Sequence, residues 1–329
     1  MSIDELLSDW DLFSHFTEAQ RNQLAPCISR SEFAADSSIV IQGDSSAESF
    51  IIESGTVNIQ RSTPYGVFSF AKLYPGDLFG ESAFVDQQPR SSDAITTTEA
   101  SILILNPSAL NWLLERDQRF SVALYWTFWK SLSGKLRDTN EILTRFFSES
   151  GKPPSTNDPL RDPAASDFRL DLGDKRKVFE EQKLSNLEIN FLAPLSKEIK
   201  LAPGEQIFRE GEPGDIAYVV LDGRVMISKY IPGAGEEALA FLERGDYFGE
   251  MALIDKMPRS ADAKAHAGGA VILAIPADVL EGILDIQKVS SLRLLRILCT
   301  MVAQRLRELD DKIAGWFVLA GGRTVDDED

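Results

Sequence analysis

Residues 248–263 read Phe-Gly-Glu-Met-Ala-Leu-Ile-Asp-Lys-Met-Pro-Arg-Ser-Ala-Asp-Ala, and residues 79–94 read Phe-Gly-Glu-Ser-Ala-Phe-Val-Asp-Gln-Gln-Pro-Arg-Ser-Ser-Asp-Ala. Both stretches contain Phe-Gly-Glu-x-Ala and Pro-Arg-Ser-x-Asp-Ala at the same internal spacing, and they lie 169 residues apart. One Phe-Gly-Glu would carry little information. Two copies of the whole pattern indicate an internal duplication, in which each copy belongs to one domain.

The duplicated pattern resembles the phosphate-binding cassette of the cyclic nucleotide-binding domain family. A glycine in the turn lets the backbone approach a ligand closely, and a helix that begins after it directs unpaired N–H groups at a phosphate. A carboxylate can accept the proton of a ribose hydroxyl group, and a guanidinium can contact two phosphate oxygens at once. The resemblance implies that Glu81 and Glu250 hold ribose, while Arg90 and Arg259 hold phosphate.

The resemblance also gives the candidate residues of two cyclic nucleotide sites. In the first site these are Phe79, Gly80, Glu81, Ser82, Ala83, Pro89, Arg90, Ser91 and Ser92. In the second site they are Phe248, Gly249, Glu250, Met251, Ala252, Pro258, Arg259, Ser260 and Ala261.

Length and charge exclude several other classes of protein. A chain of 329 residues is too long for one ordinary core and suits two domains. Its formal net charge of −17 argues against a nucleic-acid-binding surface, which needs clustered Lys and Arg. Only Cys27 and Cys299 are present, and no signal peptide or apolar run of about 20 residues is found. We therefore expect a cytoplasmic protein with no membrane span.

Short apolar runs separated by turns follow the first helical segment. Ile39-Val40-Ile41, Phe50-Ile51-Ile52 and Val57-Asn58-Ile59 are divided by Gly43-Asp44 and Ser54-Gly55. This spacing predicts an antiparallel roll or barrel, and Gly211 and Gly223 repeat the two glycines 168 residues later. The predicted fold class is α+β, mainly β: two tandem antiparallel β-roll (jelly-roll) domains with flanking helices.

Changes in composition set the expected domain boundaries. Residues 1–147 form the first domain, in which 111–147 predict one long helix or two helices broken near Gly134. Residues 148–177 contain four prolines among polar residues and predict a linker. The second domain spans 178–316 and ends in a helix over 290–313, and 317–329 form an acidic tail.

Ligand preference depends on the residues that follow each arginine. In the family, bacterial catabolite-activator proteins have Ser at the positions of Ser91 and Ser260 and use cyclic AMP, so cyclic AMP is favoured over cyclic GMP. Asp93 and Asp262 depart from the family pattern. Their carboxylates either accept hydrogen bonds from the amino group of a base or, in the favoured interpretation, face water on a strand.

Aromatic residues near the ends of the long helices are candidates for stacking on the purine. Trp316 and Phe317 are candidates at the second site, and Tyr125, Trp126 and Trp129 at the first, although rings at helical spacing more often belong to a core or an interface. His15 and His266 are far apart in the sequence, and no metal-ligand spacing is present. No arrangement of carboxylates suggests acid–base catalysis.

The sequence therefore predicts a non-enzymatic cyclic nucleotide receptor that transmits ligand binding to an unidentified effector protein. We expect neither the helix-turn-helix of catabolite activators nor the docking and inhibitor segments of protein kinase A regulatory subunits, which favours a stand-alone bacterial receptor. A homodimer is compatible with the sequence. The alternative is a scaffold or oligomer-forming protein whose pockets are vestigial or take a different ligand, such as a cyclic dinucleotide.

Overall fold

The computed structural model describes residues 3–147, 171–184, 186–231, 235–285 and 288–319, apart from the side chains of residues 145–147, 187 and 254. The described chain divides into two compact units. One contains residues up to 139 together with those from 302 onward, and the other contains residues 140–301. Each unit holds one of the two cassettes.

The first unit begins with two short helices, α1 (Ile3–Asp9) and α2 (Glu18–Leu24). Thr17 caps α2: its hydroxyl group accepts the backbone N–H of Gln20, and the Gln20 side chain accepts the backbone N–H of Thr17. This reciprocal pair fixes where the helix starts. Single 3-10 turns follow each helix, at Asp11–Phe13 and Ala25–Cys27.

Eight strands form the β-roll of the first unit in two antiparallel sheets. The strands are β1 (Ile28–Phe33), β2 (Ser38–Val40), β3 (Ser49–Ser54), β4 (Val57–Thr63), β5 (Gly66–Leu73), β6 (Leu78–Phe79), β7 (Asp93–Thr96) and β8 (Ala100–Leu105). Their orders are β1-β8-β3-β6 and β2-β7-β4-β5. Both sheets contribute buried side chains to one core, which includes Phe50, Ile52, Val57, Phe79 and Ile102.

Three helices complete the first repeat. Helix α3 (Glu81–Asp86) lies inside the cassette, and α4 (Pro107–Arg116) and α5 (Gln118–Phe147) follow the roll. Of the two alternatives predicted for 111–147, the break near Gly134 is wrong, because Gly134 lies within α5, and one long helix covers Gln118–Phe147. The helical structure is interrupted at Asp117, whose backbone is extended and whose carboxylate accepts the backbone N–H of Phe120. That contact caps the new helix.

The second repeat has the same order of elements with longer strands. It contains α6 (Leu172–Glu181), α7 (Asn186–Leu195), β9 (Lys197–Leu201), β10 (Gln206–Phe208), β11 (Ile216–Ile231), β12 (Gly235–Leu242), β13 (Tyr247–Phe248), α8 (Glu250–Asp255), β14 (Asp262–Pro276), α9 (Ala277–Ile283) and α10 (Leu292–Leu319). A 3-10 turn at Val289–Ser291 precedes α10. The sheet order is β10-β14-β11-β12, with β9 on β14 and β13 on β11.

Equivalent strands pair in the same register in the two repeats. Phe50 of β3 lies opposite Phe79 of β6, and Tyr218 of β11 lies opposite Phe248 of β13. Both pairs of rings are stacked, with centroids 5.0 Å apart. The predicted fold class, two tandem antiparallel β-roll domains with flanking helices, is confirmed.

Two elements differ from the predicted boundaries. Helix α6 begins at Leu172, inside the segment predicted as a linker, while residues 148–170 lie outside the described part of the chain. Helix α10 extends to Leu319, and its residues from 302 onward pack in the first unit rather than the second. Apolar residues at helical spacing show which face of a helix is buried, but not against which element. The rest of the predicted acidic tail, 320–329, is not described.

No helix among the described residues is long and apolar enough to span a membrane. Within the same residues, no cluster of His, Cys, Asp and Glu could hold a metal ion. Cys27 and Cys299 are both buried, and neither forms a disulfide among the described residues.

Candidate functional site

The first cassette turns at Gly80 and places Glu81 at the start of α3. Gly80 has φ of 80°, a left-handed conformation that favours glycine. A Cβ atom at this position would lie 2.8 Å from Nη1 of Arg90 and 3.0 Å from the carbonyl oxygen of Glu48. Only glycine therefore fits between the turn and the guanidinium, as the sequence motif suggested.

Glu81 offers one occupied and one vacant carboxylate oxygen. Its side chain is buried, and Oε1 accepts hydrogen bonds from Nζ of Lys135 at 2.5 Å and from the hydroxyl group of Ser131 at 2.8 Å. Oε2 is buried and has no hydrogen-bond partner among the described residues. A buried acceptor without a donor is costly. A ligand hydroxyl group at this point would satisfy it.

Arg90 lies at the other end of the cassette and is held by backbone and side-chain acceptors. It donates to the carbonyl oxygens of Gly80 at 2.9 Å and Glu48 at 2.7 Å, and to the hydroxyl group of Ser46 at 3.0 Å. A carboxylate oxygen of Glu48 lies 3.5 Å away. Burial lowers the pKa of Arg90, although a guanidinium keeps its charge at any ordinary pH. The result is a fixed, desolvated positive charge.

A cavity in the first unit joins these two groups. Of the nine residues predicted for the first site, all except Pro89 line it. The carbonyl oxygen of Pro89 instead accepts a hydrogen bond from Arg307. Ser91 also acts through its backbone, since its carbonyl oxygen accepts Nε of Arg61 at 2.6 Å.

The sequence motif missed the other walls of this cavity. Strands contribute Val40, Ile59, Phe70, Ala71, Leu73 and Ala94, α5 contributes Lys135, Asp138 and Thr139, and α10 contributes Leu306, Arg307 and Asp310. The alternation of apolar residues in the strands was a usable signal for the first group. No sequence signal placed α10 at the first cassette.

Asp310 is a buried carboxylate in the wall formed by α10. It is only 7% exposed and lines the cavity. Burial raises the pKa of its carboxyl group to about 7, while the nearby charge of Arg61 opposes the rise. The group can therefore change its charge close to neutral pH.

The second cassette repeats the same geometry at its core. Gly249 has φ of 73°, and Arg259 donates to the carbonyl oxygens of Gly249 at 2.5 Å and Ile216 at 2.7 Å. Its guanidinium lies 4.3 Å from the ring centre of Phe208, and its Nε is buried with no hydrogen-bond partner among the described residues. Burial lowers the pKa of Arg259.

The remaining residues predicted for the second site surround this arginine. Phe248, Glu250, Met251, Ala252 and Ala261 are buried, Ser260 is half-buried and Pro258 is exposed. The second unit therefore brings a buried carboxylate and a buried guanidinium into one cassette, as the first does.

Asp93 and Asp262 have a role that neither interpretation of the sequence included. Oδ1 of Asp93 accepts the backbone N–H of Gln42 at 2.8 Å, and Oδ1 of Asp262 accepts that of Glu210 at 2.7 Å. Burial raises the pKa of Asp262. Both carboxylates thus fix the loop that follows β2 or β10. A contact with a base stays a prediction for each.

The aromatic candidates lie elsewhere than expected. Phe317 is buried in the first unit with its ring 5.2 Å from that of Phe68, so it does not belong to the unit of the second cassette. Trp316 is half-buried one residue earlier in α10. Trp129 is buried, and neither it nor Tyr125 or Trp126 lines the first cavity. The rings that do line it are Phe70 and Phe79.

Comparison with known proteins gives matches over most of the chain. Residues 30–117 and 198–287 each match the family model described as the cyclic nucleotide-binding domain. The cAMP-dependent protein kinase regulatory subunit of Dictyostelium discoideum is 24% identical over 79% of this chain and 66% of that protein. The corresponding subunit of Emericella nidulans is 27% identical over 77% of this chain and 52% of that protein. The chain thus spans between one half and two thirds of these curated relatives.

The chain is also similar to a solved structure. That structure is the regulatory domain of Toxoplasma gondii PKA in a co-crystal with cAMP, which is 20% identical, covers 87% of this chain and 92% of that chain, and has a TM-score of 0.32.

Proposed function

Because the chain belongs to the cyclic nucleotide-binding domain family, we propose that it is a non-enzymatic receptor for cyclic nucleotides. Each cassette binds one molecule, with cyclic AMP favoured over cyclic GMP, and the occupied state is communicated to a partner protein. The observation that carries this proposal is the cavity of the first unit. A vacant buried oxygen of Glu81 and the buried guanidinium of Arg90 belong to residues that line this one cavity.

The ligand would lie across the cassette in one direction. Its ribose hydroxyl group would donate to Oε2 of Glu81, and its cyclic phosphate would lie against Arg90, where a charge-assisted contact is strong because water is excluded. The purine would enter the apolar part of the cavity formed by Val40, Ile59 and Phe70. At the second cassette, Glu250 and Arg259 take the same roles.

Some side chains must move when the ligand enters the first cavity. The cavity encloses about 130 Å³, below the roughly 300 Å³ at which small-molecule pockets usually begin. Lys135 and Leu306 border it without belonging to the cassette or to a strand. We expect these groups to shift while the cassette and the strands keep their positions.

Transmission to a partner follows from the contacts of Glu81. Lys135 and Ser131 belong to α5, so the carboxylate that would hold ribose also holds a long helix. A ligand changes the position of that helix only as far as it binds one arrangement more tightly than another. The names of the relatives point to a protein kinase catalytic subunit as the first partner to test, although the sequence alone favoured a stand-alone receptor.

Isothermal titration calorimetry with cyclic AMP and cyclic GMP tests the proposal. We expect two molecules of cyclic AMP per chain for the wild type, one for Arg90→Ala or Arg259→Ala, and none for the double variant. Cyclic GMP should bind more weakly. Absence of binding heat and of thermal stabilisation with either nucleotide would instead support the scaffold alternative. In that case a cyclic dinucleotide, or no ligand at all, would stabilise the protein.

A further inference from the structure

We propose that Arg307 of α10 is a positioning residue for the phosphate end of the first site, although its sequence position assigns it to the second repeat. The inference rests on the proposed function, since it concerns how Arg90 is held to meet a cyclic phosphate. Arg307 does not need to contact the ligand for this role.

Arg307 holds both ends of the turn that precedes Arg90. Its Nε and Nη2 donate to the two carboxylate oxygens of Asp86 at 2.5 Å and 3.0 Å, and its Nη1 donates to the carbonyl oxygen of Pro89 at 2.6 Å. Asp86 is the last residue of α3, and Pro89 directly precedes Arg90. One planar guanidinium therefore spans the turn from Asp86 to Pro89.

The turn itself contains a residue in the left-handed conformation. Gln87 has φ of 57°, a conformation that residues with a side chain rarely adopt. The Asp86 carboxylate is buried and also accepts the backbone N–H of Gln88. Without Arg307, a buried negative charge would lose its only ion pair among the described residues. We expect the turn, and the backbone of Arg90 with it, to shift in response.

Charge supports the same assignment. Arg90 and Arg307 line the same cavity. Burial lowers the pKa of Arg90, Glu48 opposes this, and the positive charge of Arg307 lowers it further. Asp86 offsets the charge of Arg307. The pair thus leaves Arg90 as the cation available to an anionic ligand while the turn beneath it stays fixed.

The decisive measurement is a double-mutant cycle on the full chain. Arg259→Ala is introduced throughout so that only the first site binds, and the dissociation constant of cyclic AMP is measured for Asp86→Ala, Arg307→Ala and the combination. Each single variant should weaken binding about tenfold, which is about 1.4 kcal/mol, and the combination should weaken it no further, because both changes break one contact.

Three controls separate positioning from general damage. Arg307→Lys keeps the charge and should recover part of the loss. Arg293→Ala removes an exposed arginine from the same helix, whose contact is with the carbonyl oxygen of Lys183, and should change nothing. The ratio of the dissociation constants of 2′-deoxy cyclic AMP and cyclic AMP reports the contact with Glu81, and it should equal the wild-type ratio in Arg307→Ala.

Unchanged or tighter binding by Arg307→Ala, additive losses in the cycle, or an altered 2′-deoxy ratio would each overturn the inference. Failure of the Arg259→Ala parent to bind cyclic AMP would instead refute the proposed function at the first site, and the inference with it.

Discussion

The two cassettes share a motif but surround their arginines differently. Arg90 and Arg259 each donate to the glycine carbonyl oxygen of their own motif and to one further backbone carbonyl oxygen, that of Glu48 or of Ile216. Arg90 has two further acceptors, the hydroxyl group of Ser46 and the carboxylate of Glu48. The residues 168 positions later are Gly214 and Ile216, so Arg259 has neither acceptor and packs on Phe208 instead.

This difference shows that a short sequence motif does not determine which hydrogen-bond acceptors surround its arginine. The first arginine is largely satisfied before a ligand arrives, so an anion must share it with Glu48. The second retains a buried Nε–H without an acceptor, which an anion would satisfy. We therefore expect the second site to bind cyclic AMP more tightly than the first.

Removal of the arginines should have the largest effect on this comparison. Arg90→Ala and Arg259→Ala should each cost about 2–5 kcal/mol of binding free energy at their own site, as for a buried charged contact broken on one side. Arg90→Ala should also lower the melting temperature more, because four acceptors lose their donor there. Calorimetric titration and thermal unfolding measure the two effects. Equal losses of stability would contradict the difference in surroundings.

The next largest expected effect is a dependence of stability on pH that comes from Asp310 in the first unit. In the folded chain the pKa of Asp310 is raised from 3.8 to about 7. Folded Asp310 therefore keeps a proton that the unfolded chain has already lost, and stability falls as pH rises from about 4 to 7. Between pH 5 and pH 8 the wild type should lose on the order of 3 kcal/mol more than Asp310→Asn, at about 1.4 kcal/mol per pKa unit.

The charged groups around Asp310 are Arg61, Arg307, Lys135 and Asp311, and all are unchanged in the asparagine variant. Calorimetric unfolding of both proteins at pH 5 and pH 8 gives the comparison. Parallel loss of stability in the two proteins would show that Asp310 is ionised at both pH values.

The smallest expected effect comes from the space beside the second arginine. A Cβ atom on Gly214 would lie 2.5 Å from Cζ of Arg259, so Gly214→Ala should displace the guanidinium and weaken the second site by about 1–3 kcal/mol. The matched change in the first unit, Ser46→Ala, removes one hydrogen bond and leaves the shape intact, at a cost of about 1 kcal/mol. A larger loss of binding free energy from Ser46→Ala than from Gly214→Ala would contradict the difference proposed between the two arginines. Binding isotherms measured for each site give the two losses of binding free energy.

Much of the fold could be predicted from the sequence, because the information is local. Gly80 and Gly249 mark turns with positive φ, and the alternating apolar runs mark the strands. The position of the helix break could not be predicted in this way. Asp117 interrupts the helical pattern and caps the next helix through its side chain, but in the sequence Gly134 is an equally good candidate for the break. Similarly, Asp93 and Asp262 were expected to face water, but each accepts a backbone N–H from a loop that lies 51 or 52 residues away in the sequence.

The candidate site was predictable only on its cassette side. Glu81 and Arg90 follow from the motif, but Lys135, Arg307 and Asp310 reach the cavity from long helices. Their positions in the sequence show which face of each helix is buried, but not which part of the protein packs against that face. For Phe317 this led to the wrong unit, since its ring packs on Phe68 rather than over the second cassette.

Helix α10 also determines when the first unit can be completed during synthesis. The Arg61–Asp311 and Asp86–Arg307 contacts join residues separated by 250 and 221 positions. A chain growing on the ribosome makes the first roll early, but its final wall emerges only after residue 319 has been added. Until then the buried faces of Phe68 and Asp86 stay without their covering helix. The first domain to be translated is thus among the last to close, and in that interval its uncovered apolar surface is open to association with other chains.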